Sequence, residues 1–209
     1  MVWRYAVILV AGYLLGNISM GLLISRRYHM DIREHGSGNA GTTNVLRTLG
    51  WLPSVLTLLG DAVKAFLASM IGYWLVGKMG VFVGGMAAMI GHNWPVFFGF
   101  RGGKGMAAAL GMVLAIWWPL GLILLAVEIL IAGLTGYVSV ASIVVSALFP
   151  VAVGILFRDS PDLWLYVLFS VIAAFLTIFS HRANIQRLRQ GRENRLDFKK
   201  IKRRPEGTK

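Results

Sequence analysis

The sequence predicts an all-α fold, a polytopic membrane bundle of about seven transmembrane helices, and three observations carry that expectation. Of the 209 residues, 56% are hydrophobic and 14% charged, with a mean hydropathy of +0.67, too little polar surface to cover a soluble globule of this size. Apolar stretches recur at 5–25, 52–77, 80–100, 106–134, 138–157 and 162–180, and roughly 20 residues suffice for a helix to cross about 30 Å of hydrocarbon. No barrel-like alternation of polar and apolar residues occurs, so closed helical hydrogen bonding is the economical way across.

Taken in order, the first stretch, Tyr5 to Ile24, is longer than the apolar core of a signal peptide and lacks a small-residue cleavage site, so it reads as a retained span. Three basic connections follow along the chain: Arg26-Arg27 through Arg47, the loop Arg101 to Lys104, and everything after His181. Excess Lys and Arg favours the cytoplasmic side for all three. One span before the first connection then puts the N-terminus outside, and 52–77 with 80–100 form an out-and-back hairpin. From the other end, 138–157 and 162–180 form a second hairpin that leaves the C-terminus cytoplasmic and returns Thr135–Ser139 to the inner side. The stretch 106–134 must therefore cross an even number of times. Its roughly 45 Å of helix is short for two crossings, but Trp117-Trp118-Pro119 near its middle reads as an interfacial turn between two short helices. A re-entrant pair satisfies the same parity.

Residues 1–198 are expected to form one membrane domain, with 199–209 a mobile basic tail. From His181 onward there are eleven Lys/Arg against three acids, +8 of the formal net charge of +12, which suits anionic lipid at the inner leaflet and not nucleic acid. The chain contains no cysteine, which excludes disulfides, thiolate nucleophiles and cysteine-ligated metals. Four scattered histidines form no metal site.

Polar groups concentrate in three places. Gly91-His92-Asn93-Trp94-Pro95 leads into Gly102-Gly103-Lys104-Gly105, where bare backbone lets N–H groups converge on an anion, Lys104 adds a charge, and a helix resuming at Gly105 aims its positive end at the same spot. This is not a Walker A loop, because Phe98 stands at its first glycine position and Gly105 replaces the Mg²⁺-binding Ser or Thr. The segment His35-Gly36-Ser37-Gly38-Asn39-Ala40-Gly41-Thr42-Thr43-Asn44-Val45-Leu46-Arg47 is a second such stretch. Gly38 allows close approach, Ser37, Asn39, Thr43 and Asn44 offer hydrogen bonds, and Arg47 presents a bidentate fork for phosphate. In the third cluster, His181 and Asn184 lie three apart on one helical face, followed by Arg187 and Glu193. Within the spans, Asp61 and Lys64 share a face and either pair with each other or leave Lys64 to reach a ligand phosphate, Glu128 reads as structural, and Ser139 and Ser142 either bond their own backbone or reach the site.

These clusters resemble the bacterial PlsY family of membrane glycerol-3-phosphate acyltransferases, which use acyl phosphate as donor. The likeness runs from about residue 10 to 195 and rests on Gly36-Ser37-Gly38-Asn39 with Gly41, Thr43-Asn44 and Arg47; on Gly91-His92, Pro95-Val96-Phe97 and Gly102-Gly103-Lys104-Gly105; and on His181, Asn184, Gly191 and Glu193. It implies a seven-span protein with a cytoplasmic-side site. Ser37, Arg47, His92, Lys104, His181 and Asn184 are then the candidate catalytic residues. Gly38, Asn39, Thr43, Asn44, Lys64, Gly102, Gly103, Gly105 and Ser142 are candidates for substrate binding, and Glu193 for structural integrity. Thr42, Ala65 and Arg101 depart from the residues usual in that family.

The resemblance also implies the partners: acyl phosphate and glycerol 3-phosphate as substrates, membrane lipid around them, no cofactor and no metal, in a multi-pass protein of the bacterial cytoplasmic membrane. His92 and His181 are the candidate bases, since imidazole titrates near neutrality, and a substrate phosphate is the favoured alternative. No histidine is followed five positions on by Asp, the His-x4-Asp arrangement of acyl-CoA-dependent acyltransferases; His29 has Glu34 there. A transporter of phosphorylated metabolites is the competing class, with Arg47, Lys64 and Lys104 lining an anion path.

Overall fold

The computed structural model describes residues 1–196, and its described secondary structure is entirely helical. The helices are α1 (Val2–Asn17), α2 (Met20–Arg27), α3 (Thr42–Leu49), α4 (Trp51–Val76), α5 (Lys78–Asn93), α6 (Met106–Thr135), α7 (Val138–Leu156), α8 (Leu163–Ser180) and α9 (Arg182–Arg189). Six segments among the described residues are long and apolar enough to cross a membrane, the first being α1 and α2 together, Val2–Arg27. They fall within a few residues of the stretches read from hydropathy. The expected tail 199–209 lies outside the described residues.

The break expected inside 106–134 is present. Trp117 has φ −161° and ψ 100°, so α6 is two helices meeting there. Pro119 follows two residues later; in a continuous helix it would lack the N–H that bonds the Ala115 carbonyl and its ring would clash with that carbonyl. A second break was not legible in the hydropathy: Ile18 and Ser19 are extended and divide the first span into α1 and α2. The polar segment after Arg27 is also more ordered than its glycines suggest. A 3₁₀ turn at Ile32–Glu34 is followed by Gly36 and Gly38 with positive φ, and the chain then becomes helical at Thr42, which puts Thr43, Asn44 and Arg47 on α3. Leu22, Ile32, Ala40, Val45 and Leu49 form a small apolar core here, with Met30 and Phe98 packed against it.

The chain forms two compact units, Met1–Trp118 and Pro119–Arg195. In the first, α4 and α5 pack together and against α1, while α2 and α3 pack on α4. The polarity of α4 is inverted relative to a soluble helix. Its buried stripe carries Ser54, Thr57, Asp61, Lys64, Ala65, Ala68 and Gly72, whereas Leu59, Val63, Leu67 and Trp74 are exposed, as lipid demands. Small residues set the helix spacing. Gly72 of α4 and Gly80 of α5 face each other so closely that a Cβ on either would overlap the other's backbone carbonyl. In the second unit, α7 packs on α8, and α9 continues from α8 after the single residue His181.

Gly72→Val should therefore lower the thermal unfolding midpoint in detergent, by the equivalent of about 1–3 kcal/mol for overpacking. Val at the solvent- and lipid-facing Leu59 should change it little. Equal midpoints for the two variants would refute the close α4–α5 contact.

Candidate functional site

In the first unit, the broken span and the glycine-rich loop meet at one buried ionic cluster. Asp61 and Lys64, one helical turn apart on α4, form an ion pair of 2.7 Å, with side chains 1% and 5% exposed. The Lys64 ammonium also donates to the Ile18 carbonyl at 2.6 Å and to His92 Nδ1 at 3.0 Å. Its three hydrogens thus have three protein acceptors. The Met20 amide faces Asp61 Oδ1 at 3.5 Å, a charge–dipole contact. A carboxylate therefore sits at the N-terminal end of α2 and an ammonium at the C-terminal end of α1, each complementing the helix dipole where the span is interrupted.

His92, in the last turn of α5, carries this cluster to the loop. Gly103 N–H donates to the His92 carbonyl at 3.0 Å and Gly102 N–H to the Asn93 carbonyl at 3.3 Å, so the loop is pinned to the end of the helix. A Cβ on Gly103 would overlap the His92 ring around Nε2, which explains glycine at 103 by space alone. Gly105 takes φ +86°, and α6 begins at Met106, one residue beyond the expected restart.

The first glycine-rich segment is built around Asn44, which is 1% exposed. Its Oδ1 accepts from Ser37 N–H at 2.8 Å, and its Nδ2 donates to the carbonyls of Ile32 at 3.0 Å and His35 at 2.9 Å. These bonds shape the turn that presents Ser37. Asn39 accepts from Gly41 N–H at 2.9 Å and donates to the Gly102 carbonyl at 3.3 Å. Arg33 reaches the Phe98 carbonyl at 3.4 Å, and Arg26 stacks over the Phe98 ring at 5.6 Å. The two glycine-rich segments are therefore bridged directly. The hydrogen bonds from Arg33 to Asp31 hold that carboxyl at about 2, below its ordinary 3.8.

The second unit has its own polar centre. Glu193 accepts from Ser139 Oγ at 3.0 Å and Asn184 Nδ2 at 2.7 Å through Oε1, and from Arg187 Nε at 2.8 Å through Oε2. It therefore joins the start of α7, the middle of α9 and the segment after α9. His181 Nδ1 lies 2.8 Å from the Thr177 carbonyl, one turn back on α8, and must donate to it. His181 and Asn184 are 4% and 5% exposed, on the shared face that their spacing predicts. Glu128, read as structural, accepts from Ser142 Oγ at 2.8 Å.

Of the residues singled out by sequence, the first unit brings together Ser37, Asn39, Asn44, Lys64, His92 and Gly102–Gly105, with Gly38, Thr43, Arg47 and Lys104 on the same segments. The second brings together Asn184 and Glu193, and Ser142 bonds a different carboxylate. Sequence reasoning missed Arg33 as a bridge and Ser139 as a partner of Glu193, because pairs 65 and 54 positions apart leave no local pattern.

Residues 6–191 match the sequence profile of the family described as glycerol-3-phosphate acyltransferase. A glycerol-3-phosphate acyltransferase of Thermoanaerobacter sp. (strain X514) is 43% identical over 93% of this chain and 98% of that protein. One from Clostridioides difficile (strain 630) is 42% identical, over 95% and 98%. Among solved structures, the glycerol 3-phosphate form of PlsY (YgiH), an integral membrane glycerol 3-phosphate acyltransferase, superposes with a TM-score of 0.84 at 36% identity, covering 94% of this chain and 98% of that one. Its lysophosphatidic acid form gives 0.82.

Burial tends to raise the Glu193 carboxyl, but hydrogen bonds from Asn184, Arg187 and Ser139 outweigh it and hold the group below its ordinary 4.5. Because the folded value is depressed, the resulting stability is complete above about pH 4.5 and fades as pH falls through the folded value. Glu193→Gln should unfold at a lower temperature than wild type at pH 7, and the gap should close on acidification. A gap independent of pH would show that the carboxylate charge contributes nothing.

Proposed function

The chain belongs to the glycerol-3-phosphate acyltransferase family of integral membrane proteins, and from that premise we propose that it transfers a long-chain acyl group from acyl phosphate to the 1-hydroxyl of sn-glycerol 3-phosphate, at the bacterial cytoplasmic membrane. The products are 1-acyl-sn-glycerol 3-phosphate, the first intermediate of phospholipid synthesis, and inorganic phosphate. The acceptor oxygen bonds to the acyl carbon, the bond from that carbon to the phosphate oxygen breaks, and the hydroxyl proton leaves with a phosphate oxygen.

The observation that best supports this reading is the bridging of two glycine-rich, basic segments by Asn39 and Arg33. Two anionic substrates need two cationic, backbone-rich surfaces side by side. An acyl phosphate is a mixed anhydride with a good leaving group, so alignment and charge neutralisation are what the protein has to supply. Gly102, Gly103, Gly105 and Lys104 are proposed to hold the phosphate of glycerol 3-phosphate, with Ser37 and Arg47 completing the charge and hydrogen-bond complement; His181 and Asn184 are proposed as further residues required for activity. Gly38, Thr43 and Ser142 remain proposed substrate contacts. Asn39 and Asn44 contribute by shaping the segments, since their amides are engaged within the protein.

Purified protein in detergent, given acyl phosphate and glycerol 3-phosphate, should release phosphate in step with lysophosphatidic acid, and acyl-CoA should not replace the donor. Phosphate-linked flux in proteoliposomes without turnover would instead establish a transporter. Arg47→Ala and Lys104→Ala should each lower kcat/KM by about 10²–10³-fold, the range for loss of one charge-stabilising donor, while eluting as folded protein. Full activity in either would remove it from the site. Gly103→Val, which drives a side chain into the His92 ring, should raise KM for glycerol 3-phosphate; an unchanged KM would displace the substrate from this loop.

A further inference from the structure

We propose that Phe97 and Phe100 form a wedge that inserts into lipid at the boundary between acyl chains and headgroups, and that it seats the Gly102–Gly103–Lys104 loop at the depth of a lipid-borne phosphate. The insertion follows from geometry alone; its consequence for turnover rests on the acyltransferase reading above.

The connection from α5 to α6 presents apolar surface where a water-facing loop would not. Phe97 and Phe100 are 70% and 58% exposed and Val96 is 44% exposed, whereas Phe98 packs against the small core of Leu22, Ile32 and Val45. The backbone dictates the turn that carries Phe100. Gly99 and Phe100 have φ +66° and +58°, and Phe100 N–H donates to the Pro95 carbonyl at 2.9 Å. Two consecutive left-handed residues suit Gly or Asn. An aromatic residue in the second position is strained, and its ring is nonetheless turned outward.

The neighbouring helices set the depth of these rings. At the start of α1, Trp3 is exposed, Arg4 donates to the Leu75 carbonyl at 3.1 Å, and Trp74 is exposed beside it, the composition of an interfacial belt. From Trp3 to Asn17, where α1 ends, is about 21 Å of helix. Hydrocarbon about 30 Å thick therefore continues about 9 Å past Asn17, and further if the helix tilts. The turn after α5 lies in that remaining layer. The Tyr13 hydroxyl donates to the Trp94 carbonyl at 2.9 Å, Phe97 N–H faces Asn17 Oδ1 at 3.4 Å, and the Arg26 guanidinium, in the last turn of α2, lies 5.6 Å from the centre of the Phe98 ring. The segment thus climbs from the level of Asn17 to that of Arg26, and Arg26, Arg27 and Arg101 are all exposed. Aromatic rings at the depth of acyl chains, with guanidinium groups at the depth of anionic headgroups, are what a lipid leaflet complements. Gly102–Lys104 continues directly from this turn, and α6 starts at Met106.

Because the chain has no cysteine, a nitroxide can be attached at one chosen position of the full-length protein. Phe97→Cys and Phe100→Cys, each spin-labelled and reconstituted in vesicles of phosphatidylethanolamine and phosphatidylglycerol, should collide more often with molecular oxygen than with an aqueous nickel chelate. Glu34→Cys, exposed on the neighbouring polar segment, should show the reverse. Labels at 97 and 100 that meet mainly the chelate, or that are shielded from both relaxants, overturn the wedge whether or not the protein turns over acyl phosphate. Phe100→Gly, which the positive φ accommodates, should unfold no lower than wild type; a lower midpoint would show that the ring packs within the protein instead. The seating role is read from the double variant Phe97→Ser/Phe100→Ser. With both rings exposed, it should unfold in detergent at the wild-type temperature and keep its kcat/KM for long-chain acyl phosphate there, yet lose most of it in the vesicles, where the loop must be held against a lipid plane. Equal loss in both media, or full activity in vesicles, would refute that role. Absence of turnover in wild type would sink the acyltransferase reading and leave the depth result standing.

Discussion

The first unit depends on one ionic contact, the Asp61–Lys64 pair, because it compensates for a defect that lipid would otherwise forbid. Interrupting a membrane helix at Ile18–Ser19 frees backbone groups that a continuous helix would pair within itself. A charged side chain in a span is itself unfavourable, by about 2.5–3.5 kcal/mol near the bilayer centre on insertion scales. Placed at the two exposed helix ends, the opposite charges answer both problems together: Lys64 takes the Ile18 carbonyl, and Asp61 faces the Met20 amide.

From that contact the rest of the site's support follows outward. Lys64 orients His92, His92 carries the Gly102–Gly103 backbone, and Gly102 receives Asn39 from the first glycine-rich segment. Asn44 shapes that segment from within, over a small apolar core that includes Val45 and Leu49. Glycine is required where a ring lies against the backbone, as at 103, and the packing of α4 on α5 through Gly72 and Gly80 is the same principle applied to whole helices. The Gly102–Gly103 backbone is held by the carbonyls of His92 and Asn93 and by Asn39.

The second unit uses a carboxylate differently. Glu193 gathers three donors from separate stretches of chain, and truncating it would remove the acceptor that Ser139 Oγ and Asn184 Nδ2 share. Asn184 is thereby oriented beside His181, whose Nδ1–H is taken by the Thr177 carbonyl, leaving the neutral ring's acceptor at Nε2.

Sequence alone determined the helical membrane class, the positions of the spans and the break near Trp117, since hydropathy over about 20 residues and a Trp-Trp-Pro run are local signals of what lipid permits. It also determined which segments carry the phosphate-suited chemistry, because glycine, Ser, Asn and Arg in one run are visible without coordinates. Tertiary structure alone decided what each of those residues touches. Lys64 read equally well as Asp61's partner or as a ligand's, and only the meeting of α1, α4 and α5 gave its three hydrogens to Asp61, Ile18 and His92. The break at Ile18–Ser19 was invisible for the same reason: the residues there are ordinary, and the groups that make the interruption tolerable lie more than 40 positions away.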